Sequence, residues 1–245
     1  MLRSIKEMYN YKIHALDGDI GKVHEFFFDG RVWIVRYLVA DTGFWLPGRK
    51  VLISRIALAP PVWDAQKFPV GLTKEQIENG PNIDTDKPVS RQHEIEMHEH
   101  YNWTPYWLGG GDGKVCPTTP LGKQSQKDVS EEQENDPQLR STREVAGYKI
   151  RATDGEIGHV EDFIVDDEGW IIRYMVVDTR DWLPGKKVLI APQWIERTYW
   201  GAEQVHVDLT KEAIKNCPEY HPSDPVNREY EIRMYDYYGQ PKYWP

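Results

Sequence analysis

The sequence predicts a mainly β protein built twice, as two tandem small domains of about six short strands each, with short helices after each set of strands. Three observations carry this prediction. Residues 11–54 and 148–191 align without a gap, 137 residues apart, and 26 of 44 positions are identical. A repeat of that length fixes the domain count before any other reading. Within each copy the apolar period is two rather than 3.6, and Asp-Gly and Pro-Gly pairs punctuate the runs at matching places.

The elements follow in order. Asp17-Gly18 and Asp154-Gly155 predict hairpin turns, because this pair readily takes positive φ angles. In "WIVRYLVAD", Trp33, Val35, Tyr37 and Val39 share one face and Ile34, Leu38 and Ala40 the other, with Arg36 among them. Two apolar faces suit a strand covered on both sides. Pro47-Gly48 and Pro184-Gly185 predict a turn joining a strand that starts at "FWL" or "DWL" to one reading "KVLI". The second copy adds a hairpin turning near Gly201. Thr73 and Thr210 stand where a hydroxyl can cap a short helix, and Ser90 and Asn227 do the same for a longer one. The register persists to Tyr106-Trp107 and Tyr243-Trp244. The expected domains are therefore residues 1–108 and 144–245. The segment 109–143, polar and rich in glycine and proline, is expected to be a flexible linker.

Composition narrows the function. Hydrophobic residues are 40% of the chain, enough for real cores. The formal net charge of −9 repels a phosphate backbone, so no nucleic-acid partner is expected. No stretch approaches the ~20 apolar residues of a membrane span, and the first residues lack the apolar core of a secretory leader. Cys116 and Cys217 do not correspond under the repeat, so no disulfide and a cytoplasmic location are expected.

The ordered words "D-G-x-I-G-x-V", "R-Y-x-V-x-D" and "W-L-P-G-x-K-V-L-I" occur at Asp17–Val23, Arg36–Asp41 and Trp45–Ile53, and again at Asp154–Val160, Arg173–Asp178 and Trp182–Ile190. This set resembles the PRC-barrel family, named for the cytoplasmic domain of the photosynthetic reaction-centre H subunit. The resemblance implies a small six-stranded β-barrel in each copy, used as an adaptor.

Several residues invite a chemical reading. "HEIEMHEH" offers His93, Glu94, His98 and His100. A zinc helix needs two His four apart with a Glu beside the first, whereas His93 and His98 are five apart. The second copy has Tyr230, Tyr235 and Tyr237 at the corresponding places, so a solvated helix face is expected and no metal. Arg36 and Arg173 lie inside apolar strands and need carboxylates. The expected partners are Asp17 or Asp41 for the first and Asp154 or Asp178 for the second, as structural ion pairs. Trp45 and Trp182 are expected to pack rather than stack on a ligand. Asp19, Glu25 and Asp29 are expected at turns and exposed strand positions. No catalytic residue and no cofactor site are expected.

Each copy ends in aromatics: Tyr101, Trp103, Tyr106 and Trp107, then Tyr237, Tyr238, Tyr243 and Trp244. Such side chains suit an interface core, and the two copies are expected to dock through them. The leading expectation for function is a non-enzymatic adaptor that binds a protein partner. The second reading is an accessory of a photosynthetic or other electron-transfer complex, associated peripherally with a membrane complex. A metal-dependent hydrolase is the third, and the His spacing argues against it.

Overall fold

The computed structural model describes residues 1–81, 89–108, 139–179 and 185–244. In the first half of the chain the strands are β1 (Leu2–Ser4), β2 (Lys12–Ala15), β3 (Gly18–Asp29), β4 (Ile34–Asp41), β5 (Lys50–Ser54) and β6 (Lys67–Pro69). In the second half they are β7 (Leu139–Ser141), β8 (Lys149–Ala152), β9 (Gly155–Asp166), β10 (Ile171–Asp178), β11 (Lys187–Ile190), β12 (Ile195–Tyr199) and β13 (Gln204–Val207). The helices are α1 (Ile5–Met8), α2 (Lys74–Glu78), α3 (Arg91–His100), α4 (Thr142–Val145), α5 (Lys211–Asn216) and α6 (Arg228–Tyr238). The protein is mainly β, as the period-two runs predict.

The described residues fall into two compact units, one of 8–108 with 139–141 and the other of 1–7 with 142–244. Each is built the same way. β2, β3, β4 and β5 pair in antiparallel succession, and β6 lies parallel to β2. In the other unit β8, β9, β10 and β11 repeat the succession, and β13 lies parallel to β8 with β12 hairpinned onto it. β3 shifts register at Val23/Glu25 and at Phe27/Phe28. Such bulges bend a long strand, and Phe26, Phe27 and Phe28 are all buried. The second glycine of each "D-G-x-I-G" word has a steric reason. A Cβ on Gly21 would lie 2.0 Å from the Asp41 carbonyl oxygen, and one on Gly158 would lie 2.0 Å from that of Asp178.

The helix caps form where the sequence placed them. Thr73 accepts from the Gln76 amide and Thr210 from that of Ala213, while Ser90 and Asn227 accept from the amides of His93 and Tyr230. The hairpin-turn carboxylates Asp17 and Asp154 accept from the first amides of α2 and α5, Lys74 and Lys211, at 2.9 and 2.8 Å.

Two expectations change. "FWL" begins no strand: between β4 and β5 the chain makes successive turns. The Thr42 hydroxyl holds them, reaching the carbonyls of Leu46 and Arg49 at 2.7 and 2.6 Å. The domain borders also move. The expected linker lies mostly outside the described residues, but its end, Leu139–Ser141, is strand β7 and pairs with β3 of the first repeat. Reciprocally, β1 pairs with β9 of the second repeat.

This exchange keeps the repeat register. Leu139 faces Asp29 and Ser141 faces Phe27, as Leu2 faces Asp166 and Ser4 faces Ile164. The Ser141 hydroxyl donates to Glu25, and the Ser4 hydroxyl donates to the corresponding Asp162. Glu25, expected to be exposed, is buried there, as is Asp29. The reason for the exchange lies in the long strands. β8 covers β9 only from Gly155 to His159, so the edge at Ile164–Asp166 needs another partner. An unpaired edge of this kind leaves backbone groups without bonds.

The pairing makes a crossed prediction for the full chain. Asp162→Ala should speed amide hydrogen exchange in residues 1–8 and leave 139–145 protected, and Glu25→Ala should do the reverse. Loosening of each segment by the carboxylate of its own repeat would contradict the exchange.

Candidate functional site

The most elaborate polar cluster lies beneath α3, and a copy lies beneath α6. Glu94, Met97 and His98 are the buried face of α3; Glu231, Met234 and Tyr235 are that of α6. Glu94 Oε1 accepts from the Tyr37 hydroxyl of β4 at 3.0 Å and from the Tyr106 hydroxyl of the tail at 2.7 Å, and Arg91 Nη1 sits 2.8 Å from Oε2. In the copy, Glu231 Oε1 accepts from Tyr174 at 2.6 Å and Tyr243 at 2.7 Å, and Arg228 Nη1 sits 3.0 Å from Oε2. The expected solvated helix face is thus corrected: Glu94 and His98 are each 2% exposed.

Electrostatics follow from burial. Desolvation, with the neighbouring carboxylate, pushes the Tyr37 and Tyr106 phenols up, so both remain donors. Burial also raises the Glu94 carboxyl and lowers His98, whose ring is then neutral at physiological pH. His98 Nε2 is 3.1 Å from the Tyr37 hydroxyl. Tyr235 takes its place in the copy and accepts from Gln193 Nε2 at 2.7 Å. In each cluster both carboxylate oxygens are engaged, so the arrangement locks a helix and a tail to a strand.

The strand arginines, Arg36 buried and Arg173 half-buried, extend these locks with partners other than those expected. Arg36 Nη2 lies 3.6 Å from Asp29 Oδ2, and Arg173 Nη2 lies 3.3 Å from Asp166 Oδ2. The strand register explains this. Asp29 faces Ile34 at the start of β4, whereas Asp41 ends β4 five residues beyond Arg36, roughly 17 Å along an extended strand. Asp178 stands at the same far end of β10, buried. Asp17 and Asp154 are the helix-start acceptors described above, and Asp41 accepts from the Gly43 amide at 2.9 Å.

The guanidinium of Arg36 lies 4.0 Å from the Tyr106 ring centre, and that of Arg173 lies 4.1 Å from the Tyr243 ring. Arg91 and Arg228 sit 4.3 and 4.2 Å over Trp107 and Trp244. Tyr101 and Trp103 stack on each other and, with Tyr106, pack against the core of Phe27, Tyr37, Val39 and Leu52. Tyr237 donates to the Ala213 carbonyl at 2.8 Å, and Tyr238 packs on Trp194. The tail aromatics thus contact their own unit extensively.

Other chemistry is sparse. Among the described residues no group of three or more His, Cys, Asp or Glu is placed to hold a metal ion. Burial pushes the Cys217 thiol up, which disfavours the nucleophilic thiolate; Cys116 lies outside the described residues. A cleft of about 230 Å³ is lined by Ser4, Lys6, Glu161, Asp162, Lys187 and Tyr220. Both of its lysines are ion-paired with Glu161, at 3.6 and 2.5 Å.

The turns between β4 and β5 differ from all of this. Thr42 is buried and pins the segment, while Phe44 at its tip is fully exposed. Trp45 is half-buried, with the Lys74 ammonium 5.8 Å from its ring centre. In the second repeat, Arg180 and Asp181 align with Gly43 and Phe44; these residues and Trp182 lie outside the described ones. The pinning bond recurs there, from the Thr179 hydroxyl to the Lys186 carbonyl at 2.8 Å. Phe44 lies outside the words the two copies share, so the repeat does not single it out. The signal was one apolar residue on a turn whose copy carries an acid.

Among known proteins, no family model matches this chain and no curated protein matches it.

Two predictions test the lock. Tyr106→Phe removes one donor to a buried carboxylate and should cost about 1.5–3 kcal/mol in chemical denaturation. Because burial raises Glu94 above its ordinary 4.5, the folded state holds that proton to higher pH than the unfolded state. Stability from this group is therefore full at low pH and falls as pH rises through the raised value. Glu94→Gln lacks that loss, so its midpoint relative to wild type should improve from pH ~4.5 towards neutrality. A constant difference across that range would contradict the assignment.

Proposed function

We propose that the protein is a non-enzymatic adaptor built from two PRC-type barrels, and that it binds a protein partner through the Thr42–Arg49 turns of the first repeat. One observation carries the reading: Phe44 is fully exposed on a segment anchored by the Thr42 hydroxyl, whose one proton is shared between the Leu46 and Arg49 carbonyls. An apolar side chain held out by an ordered backbone loses little conformational freedom on binding, which is how rigid aromatic anchors gain affinity. The preserved pinning threonine beside a changed tip supports the same reading. A duplicated scaffold is retained in both copies, and the recognition residue is present in one.

The partner is expected to offer an apolar pocket, since the tip carries no charge. The Lys74 ammonium beside Trp45 adds a basic neighbour, suited to an acidic rim on the partner. Sequence order and turn positions support the PRC-type assignment.

Phe44→Asp, which copies the residue of the second repeat, should change folding stability by no more than about 0.5 kcal/mol, as for surface positions generally. A photoreactive phenylalanine analogue at position 44 should crosslink in cells to one dominant protein, recovered again when that protein carries the tag. Phe44→Asp should abolish co-purification of the identified partner. Failure to form a protein adduct, or co-purification unchanged by Phe44→Asp, would overturn the reading.

A further inference from the structure

The exchanged strands point to a second kind of binding. The edge of β9 at Ile164–Asp166 is an acceptor for a short antiparallel strand, and its neighbours read the strand that fills it. Asp162 takes the Ser4 hydroxyl and the Lys6 amide, the latter at 3.0 Å. Asp167 lies 3.6 Å from Arg3 Nε, and Glu161 lies 3.6 Å from Lys6 Nζ. Ile5, just beyond the strand, is fully buried. The edge of β3 at Phe27–Asp29 is the matching acceptor, with Glu25 receiving Ser141 and Leu139 buried in the core. Both acceptors take the same word, Leu-Arg-Ser.

We infer that the β9 edge is a strand-binding site of the β-augmentation type, and that its alternative occupant is the residue 1–7 segment of a second copy of this chain. Main-chain bonds give such a site its affinity and flanking side chains give it selectivity. Here the selecting groups are Asp162 for a hydroxyl two positions after a leucine, and Asp167 and Glu161 for the two basic residues. A second copy carries all of them. The acceptor belongs to the repeat other than the one from which its strand departs in sequence, so the donor is already a separate segment. Donation between chains uses the same contacts as donation within one, and reciprocal exchange is a recognised route to dimers.

The test uses the full-length chain with its resident strand weakened by Leu2→Asp and Ser4→Ala. A fluorescent peptide of residues 1–10, MLRSIKEMYN, should bind this variant at one site per chain, measured by anisotropy. It should bind wild type far more weakly, because the resident strand competes. Ser4→Ala in the peptide should weaken binding about tenfold, the loss expected for a hydrogen bond to a partly buried carboxylate. A chain lacking residues 1–7, mixed with unaltered chain, should form a one-to-one complex by sedimentation. No peptide binding to either altered chain, or binding indifferent to Asp162→Ala in the acceptor, would overturn the proposal. Should an altered chain fail to fold, circular dichroism would show it. The decision then rests on wild type alone: a mixture of two isotopically distinct wild-type populations, concentrated and then diluted, should contain mixed dimers by native mass spectrometry, and monomer only would overturn it.

Discussion

A carboxylate buried beneath a helix is the constraint on which each unit depends. Glu94 faces inward from α3 and draws a hydroxyl from β4, another from the tail and a guanidinium from its own helix. A charge so placed is tolerable only when its oxygens are satisfied, since losing a partner leaves an uncompensated ion in a poorly solvating interior. The sequence therefore has to bring three separate segments to one point. Glu231 imposes the same requirement in the second copy, with the same atoms in the same roles. The strand arginines complete the scheme: each is shared between the aspartate that ends the preceding strand and the ring of the tail tyrosine, so the tail is gripped from two sides.

Much of this architecture was legible in the sequence, and the parts that were not have physical reasons. The turns, the caps and the strands could be read because they rest on local chemistry: a Gly at a close approach, a Thr at a helix start, alternation along β4. The lock could not, because α3 reads as "RQHEIEMHEH", whose charges suggest water on every side. The clue was the identity of Arg91, Glu94 and Met97 with Arg228, Glu231 and Met234, positions spaced to share a helical face. The partner of Arg36 was missed for a different reason. Candidate aspartates were chosen from the repeated words, and strand geometry places those at the far end of β4. The exchanged strand was hidden because three residues carry no periodicity.

Duplication separates what each part does. The clusters, the helix-start aspartates and the exchanged Leu-Arg-Ser strands are common to both copies, so they belong to the scaffold. Even the cation beside the β4–β5 turns keeps its role: Arg49 reaches the carbonyls of Glu78 and Gly80, and Lys186 reaches those of Lys215 and Cys217. Against that constancy, a fully exposed phenylalanine aligned with an aspartate is the kind of difference that recognition requires. Among the described residues no helix is long and apolar enough to cross a membrane, and Phe44 is the most exposed of the large apolar side chains.

The central claim is that one buried carboxylate joins strand, helix and tail into a single cooperative body. Hydrogen exchange of Glu94→Ala, followed by mass spectrometry, tests it most directly. The account predicts that α3 and the Tyr106–Leu108 segment lose protection together and at one rate, while α6 keeps its protection. Loss confined to the residues beside position 94, with the tail still protected, would contradict it.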